Sequence, residues 1–118
     1  MISINDIVIR YYIIGGVQMQ DSVLRKLYLG FIQIHILHHA KKEPIYGSWM
    51  IEELARHGHS ISAGTLYPIL HGLTKDGLLS VEKRTVNGKY RKYYRLTECG
   101  ERVLLLAKEK TLELMREI

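Results

Sequence analysis

One dipeptide constrains this chain more than any other feature: Asn87-Gly88, set between Leu78 to Val86 and Lys89 to Leu96. Both residues tolerate positive φ, so they suit the two-residue turn whose twist matches that of its flanking strands. Such a turn also sets the register, because a slip of one residue sends every side chain to the wrong face. Pairing Val86 with Lys89 places Leu79 opposite Leu96, Val81 opposite Tyr94 and Lys83 opposite Lys92 on one face, with Arg84 opposite Arg91 on the other. The apolar base, Val81 included, is expected to pack on helices. The outer rungs differ. Like charges directly across a ladder destabilise by up to about 1 kcal/mol each, so two such rungs call for an external anion.

Charge distribution points the same way. The 118 residues hold 17 Lys+Arg and 12 Asp+Glu, a net charge of +5. Between Glu82 and Arg95 six basic residues face one acid, a surplus equal to the whole net charge, and the rest of the chain is balanced. A basic patch this local suits a polyanion better than general basicity would. Tyr90 and Tyr93 interleave with the charges and are expected to pack against arginine stems or to hydrogen-bond phosphate. The length allows one domain, and a single cysteine, Cys99, excludes an internal disulfide and a CxxC-type zinc site. The expected compartment is the cytoplasm.

Three helices are predicted before the hairpin and one after it. The first runs from Ser22 to Ala40, capped by Asp21 or Ser22. Its apolar residues (Leu24, Leu27, Tyr28, Phe31, Ile32 and Ile36 among them) wrap most of the circumference. A helix apolar nearly all round is buried on more than one side, and in a chain this small the second side is expected from another subunit. Lys41 to Pro44 reads as a turn. A second helix follows Gly47-Ser48 with Met50, Ile51, Leu54 and Ala55 inward, and His57-Gly58-His59 ends it.

The third helix starts at Ser62, with Leu66, Ile69, Leu70 and Leu73 forming a buried stripe. Gly64, Tyr67, Pro68, His71 and Lys75 lie on its other side. Thr97 caps the last helix, where Leu104, Ala107, Thr111, Leu114 and Ile118 repeat at coiled-coil-like spacing and Leu105, Leu112 and Met115 widen the stripe. Residues 1–20 form an extension whose strand-like Ile7 to Ile14 is too short, and too interrupted by Arg10, to span a bilayer.

Helix, helix, helix, basic hairpin is the order of a winged helix-turn-helix, a fold suited to double-stranded DNA. Its third helix enters a major groove while the wing touches backbone or minor groove. The open N-terminus at Ser62, Ala63 and Gly64 can approach phosphate through backbone N–H groups, and Thr65 and Tyr67 add hydroxyls. Other chemistry is weaker. His35, His38 and His39 can share a helical face and bind a metal, but with no acid or thiol near in sequence they are read as closing the helix or lining an interface. Cys99 is read as a small packed side chain rather than a redox sensor. No GxSxG, HExxH or P-loop occurs, so no enzyme activity is expected.

Ser62-Ala63-Gly64-Thr65-Leu66-Tyr67-Pro68-Ile69-Leu70, then Leu73 and Asp76-Gly77-Leu78-Leu79, resembles the recognition-helix signature of PadR-family transcriptional regulators. Arg91-Lys92-Tyr93-Tyr94-Arg95-Leu96-Thr97 followed by Gly100 is similar to that family's wing and the start of its C-terminal helix. The resemblance covers the chain from about Leu24 onward. It implies a dimeric winged-helix transcription factor of the short subgroup, usually a repressor released by a ligand or stress signal, with dimers made by the N- and C-terminal helices. Where family members often read His-Gly-Tyr, this chain has Tyr46-Gly47-Ser48-Trp49, and Trp49 is expected to fill the missing ring's place in the core. The flat-drug mode of some relatives needs a tryptophan on the C-terminal helix. No aromatic follows Tyr94, so that mode is not carried over.

The expected fold is mainly α with a small β-hairpin, a winged helix-turn-helix over 21–97 with dimerisation helices at both ends, the second over 98–118. Ser62, Ala63, Gly64, Thr65, Tyr67, His71 and Lys75 are expected at DNA from the third helix. Lys83, Arg84, Asn87, Gly88, Lys89, Arg91 and Lys92 are expected there from the wing. Leu24, Leu27, Tyr28 and Phe31, with Leu104, Ala107, Thr111, Leu114 and Ile118, are expected at a homodimer interface. No metal ligand, cofactor or membrane contact is assigned, and the effector is left open. The alternative is a winged helix that binds protein or ligand rather than specific DNA.

Overall fold

The computed structural model describes residues 18–118. Its elements are α1 (Gln18–Lys42), α2 (Gly47–Arg56), α3 (Ala63–Lys75), β1 (Leu79–Val86), β2 (Lys89–Leu96) and α4 (Glu98–Glu117). The strand-like reading of Ile7 to Ile14 lies outside the described residues. Among those described, order and type agree with the sequence reading, and the differences are local. Helix α1 is longer at both ends than expected, so Asp21 and Ser22 sit inside it rather than capping it. Gln18, Met19 and Gln20 are good helix formers and carry the helix past the polar pair. Lys41 and Lys42 suit its last turn, where cations meet the negative end of the helix dipole.

Helices α2 and α3 end alike. Gly77 at φ +79 lets Leu78 N–H reach the Leu73 carbonyl at 2.9 Å while its own N–H reaches Thr74 at 3.0 Å. This is the paired closure that a left-handed glycine makes possible. Gly58 does the same for α2, with His59 N–H on the Leu54 carbonyl at 2.8 Å. Pro68 is accommodated within α3 without ending it.

The hairpin has the expected register, from Leu79↔Leu96 to Val86↔Lys89, with Asn87 and Gly88 at φ 52 and 76. What the turn reading of residues 41–44 misses comes just after them. Ile45 and Tyr94 exchange two backbone hydrogen bonds of 2.9 and 2.7 Å, so β2 lies between Ile45 and β1. That leaves β1 as the outer edge, and Val81, expected on the helices, is 42% exposed.

The core joins Ile32, Ile36, Leu37 and Ala40 of α1 to Met50 and Leu54 of α2, Leu66, Leu70 and Leu73 of α3, and Leu79 and Tyr94 of the hairpin base. Each fully buried leucine or isoleucine contributes about 1.5–3 kcal/mol. Ala55, expected inward, is exposed, because the buried side of α2 is set by Gly47, Met50 and Leu54. Trp49 is half-buried and packs against the core, in the role expected of it.

Thr97 fastens two elements at once. Its Oγ1 accepts from Gly100 N–H at 3.0 Å, capping α4, and donates to the Gly77 carbonyl at 2.6 Å beside the end of α3. Gly100 is the buried residue of this first turn, where a side chain would strike the Leu78 carbonyl. Cys99 beside it is therefore turned outward and exposed, not packed as expected.

Candidate nucleic-acid interface

Helix α3 buries one side and shows the other. Ser62, Ala63, Gly64, Thr65, Pro68, His71 and Lys75 are exposed, and Tyr67 is 46% exposed, so every α3 residue read as a contact lies open. The N-terminus of α3 is also electrically bare. Ser62 holds the cap position, yet its hydroxyl makes no capping bond and meets Thr65 Oγ1 at 3.3 Å, and no acid occupies the first turn. Helix α2 begins the same way, from Tyr46, without a side-chain cap or an acid. Helix α4 is the contrast, with Thr97 capping it and Glu98 and Glu101 in its first turn. Uncapped first turns leave N–H donors and the positive end of the helix dipole available to an anion.

The wing's two like-charged rungs have different surroundings. Arg84 is bound to Glu82 at 2.8 Å and lies over the Tyr93 ring, 4.8 Å from its centre. Arg91 lies 4.4 Å over the Tyr46 ring, and the two tyrosines meet edge to face at 5.5 Å. The Arg84 hydrogen bond, then its charge, holds the Glu82 carboxyl below its usual range. Each cation–π contact at an exposed site is worth about 0.5–1 kcal/mol, comparable to the repulsion of about 1 kcal/mol across the rung. The arginine rung is therefore compensated within the protein. Lys83 and Lys92 are exposed, and among the described residues no carboxylate forms an ion pair with either, or with Lys89. The need for an external anion falls on the lysines.

Wing and helices meet around a cleft of about 320 Å³ lined by Tyr46, Gly47, Ser48, Tyr67, Tyr90, Arg91 and Lys92. Gly47 belongs there for steric reasons, since a Cβ would overlap the Tyr67 hydroxyl and ring. The cleft joins the bare start of α2, the middle of α3 and the cationic strand β2. Tyr67, Arg91 and Lys92 were expected from sequence, but Tyr46, Gly47 and Ser48 were not. Gly47-Ser48 reads only as the lead-in to the second helix, and the one signal for the stretch is the resemblance at Tyr46-Gly47-Ser48-Trp49. Tyr93 braces arginine as expected, whereas Tyr90 is 62% exposed. Asn87 and Gly88 stand exposed at the tip.

The residues read as an interface between copies divide into two groups. Tyr28 and Leu104 pack against the chain's own core, and Leu24, Phe31 and Ala107 are half-buried. Leu27, Thr111, Leu114 and Ile118 are exposed, as are Val103, Leu105, Leu106, Leu112 and Met115 around them. Among the described residues no helix is long and apolar enough to cross a membrane.

Comparison with known proteins places this geometry in company. The model of the transcriptional regulator PadR-like family matches residues 36–105. The chain is 43% identical over 95 residues to the "Transcriptional regulator Rv3488" of Mycobacterium tuberculosis, covering 80% of this chain and 89% of that one. Among solved structures, a PadR family transcriptional regulator from Eggerthella lenta superposes with a TM-score of 0.73 at 35% identity, over 84% of this chain and 88% of its own. A PadR-like transcription factor from Bacteroides fragilis gives 0.73 at 36% identity, over 82% and 95%.

Proposed function

As the chain belongs to the PadR-like family of transcriptional regulators, we propose that it is a homodimeric, sequence-specific DNA-binding repressor of the cytoplasm, relieved by a small-molecule or stress signal. The observation that carries this reading is the cleft where the uncapped start of α2, Tyr67 of α3 and Arg91 and Lys92 of the wing converge. A phosphate seated there would meet backbone N–H groups, a tyrosine hydroxyl and two cations, which is the donor set that duplex backbone recognition uses. With the backbone held there, α3 lies in the major groove. Ala63, Tyr67 and His71 then face base edges, while Ser62, Gly64, Thr65 and Lys75 flank them.

Lys83, Lys89 and Lys92, with Arg84 and Arg91, set affinity rather than sequence preference. The exposed apolar residues of α1 and α4 form the seam between two copies, which places two half-sites about one helical turn apart, near 34 Å. Titration of the full chain with duplex from its own upstream region and with unrelated duplex, at physiological salt, tests the reading. A preference of at least about 10³-fold is expected of a specific binder. A ratio near one sinks it in favour of an interaction module or a nonspecific binder.

A further inference from the structure

Five of the six histidines gather where the end of α1 meets the end of α2, and none of the five takes part in the interface above. His35 lies 5.0 Å from His59 and 5.3 Å from His57 between ring centres, while His39 lies 6.0 Å from His57 and 5.0 Å from His38. The glycine closure at Gly58 turns His59 back onto this cluster. Glu53, one helical turn before His57, supplies the carboxylate that the sequence neighbourhood of His35, His38 and His39 lacks. Its Oε1 is 3.3 Å from His57 Nε2, and its Oε2 accepts from the Arg56 guanidinium at 2.6 Å. One ligand-capable atom each from His39, Glu53 and His57 lies within 4.8 Å of the others.

Packing alone leaves this cluster incomplete. Nε2 of His39 and Nδ1 of His59 are buried without a hydrogen-bond partner, in residues only 8% and 5% exposed. A buried polar atom normally has one. Neutral imidazole with an open lone pair is the form that ligates metal.

We propose that His39, Glu53 and His57 form a binding site for a divalent transition metal of the zinc class, with a fourth position open to water. The 3.3 Å between Glu53 and His57 already matches the edge of a tetrahedron with metal–ligand bonds near 2.0–2.1 Å, which is about 3.3–3.4 Å. The His39 nitrogen closes the remaining gap by a small ring rotation. Two imidazoles and one carboxylate favour zinc-like ions over magnesium or calcium, which want oxygen. Arg56 anchors Oε2 and leaves Oε1 for the ion. Its positive charge and that of Lys42 oppose the ion, so the site depends on all three ligands. An ion here ties the last turn of α1 to the end of α2, within the same unit that carries the bare N-terminus of α2.

The test uses the full chain without an affinity tag, in the absence of DNA, titrated with Co²⁺ and then Zn²⁺. One equivalent of Co²⁺ is expected, with the visible absorption of a tetrahedral ion, displaced by Zn²⁺ and untouched by Mg²⁺. At free Zn²⁺ a hundredfold above Kd the melting temperature rises by on the order of 10 °C. Glu53→Gln and His57→Ala weaken binding at least roughly tenfold, since even supporting groups cost that much. His38→Ala leaves it unchanged. Their melting curves without metal establish that the variants are folded. Failure of the wild-type chain to take up one equivalent overturns the proposal. So does binding that survives in both variants, or binding lost in His38→Ala and retained in His57→Ala.

Discussion

At the tip of the hairpin Lys83, Lys89 and Lys92 stand in water, paired with no carboxylate among the described residues, while along α4 Leu105, Leu106, Leu112, Leu114 and Met115 stand there, each between 47% and 64% exposed. Water solvates an ammonium well, so the lysines cost the fold little beyond their mutual repulsion. A row of exposed leucines costs about 25 cal/mol for each Å² left wet, and apolar patches of this kind mark surfaces that something covers. The wing is thus complete as a folded element and incomplete only as a binding surface. Helix α4 carries an apolar face that nothing among the described residues covers. In the homodimer proposed above, a second copy of the chain offers the same face at the same spacing, which is what a two-fold interface requires.

The largest effect is expected where the comparison is most exposed to failure. Leu112→Glu combined with Met115→Glu should give a monomer by sedimentation. It should also weaken binding to a duplex carrying two half-sites by on the order of 10²-fold or more, through loss of avidity. A dimer that survives both changes would remove the distinction between α4 and the wing. Next comes the wing itself. Lys83→Gln with Lys92→Gln should lower the slope of log affinity against log salt by about 1.8, near 0.9 for each phosphate no longer neutralised, with a melting temperature that does not fall and rises slightly as the repulsion across the rung is relieved.

Arg84→Gln should lower that slope by less than either lysine does, because Glu82 and Tyr93 already hold the guanidinium. It should instead release the brace that Arg84 makes between Glu82 and the Tyr93 ring, visible as faster amide exchange in β1 and β2. A third change lies between the two regions, in the cleft. Gly47→Ala displaces the Tyr67 ring, so duplex affinity should fall several-fold with little loss of stability, since that ring is already half in solvent.

The last effect belongs to the junction of α1 and α2 and concerns pH. His35, His38, His39 and His59 all titrate below the ordinary histidine value of 6.5 in the folded chain, His35 near 4. The unfolded chain therefore binds protons first as the solution is acidified. Stability from this group is complete above pH 6.5 and is lost as pH falls from there toward 4. Melting curves between about pH 7.5 and 5 should show a falling transition temperature, and His35→Gln should flatten it. An unchanged profile in that variant would mean that His35 is not held neutral by its surroundings.

Much of this was legible without coordinates, and the legible parts share a range. The Asn87-Gly88 turn and its register, the stripe Leu66, Leu70, Leu73, the cap at Thr97 and the open face of α3 each depend on residues within a turn or a strand pair. The misreadings share one too. Asp21 and Ser22 looked like a cap because nothing local says that the helix begins earlier. Val81 looked buried because alternation along a strand does not reveal which strand is the edge. Cys99 looked packed because its neighbour Gly100 takes the inward place, against a carbonyl from Leu78.

By itself, then, the chain's order of residues determined the succession of helices and hairpin, the charge of the wing and the family to which it belongs, since local propensity and side-chain period are enough for these. Only the tertiary structure decided that Tyr46 joins Tyr93 in bracing the arginine rung, that the lysine rung stays open, and that Gly47 seats Tyr67 beside the wing. It alone brought Glu53 and His57 to His39. Each of those pairings joins residues that hydrophobic packing brings close although the backbone between them is long, and contacts of that kind leave no periodic trace in a sequence.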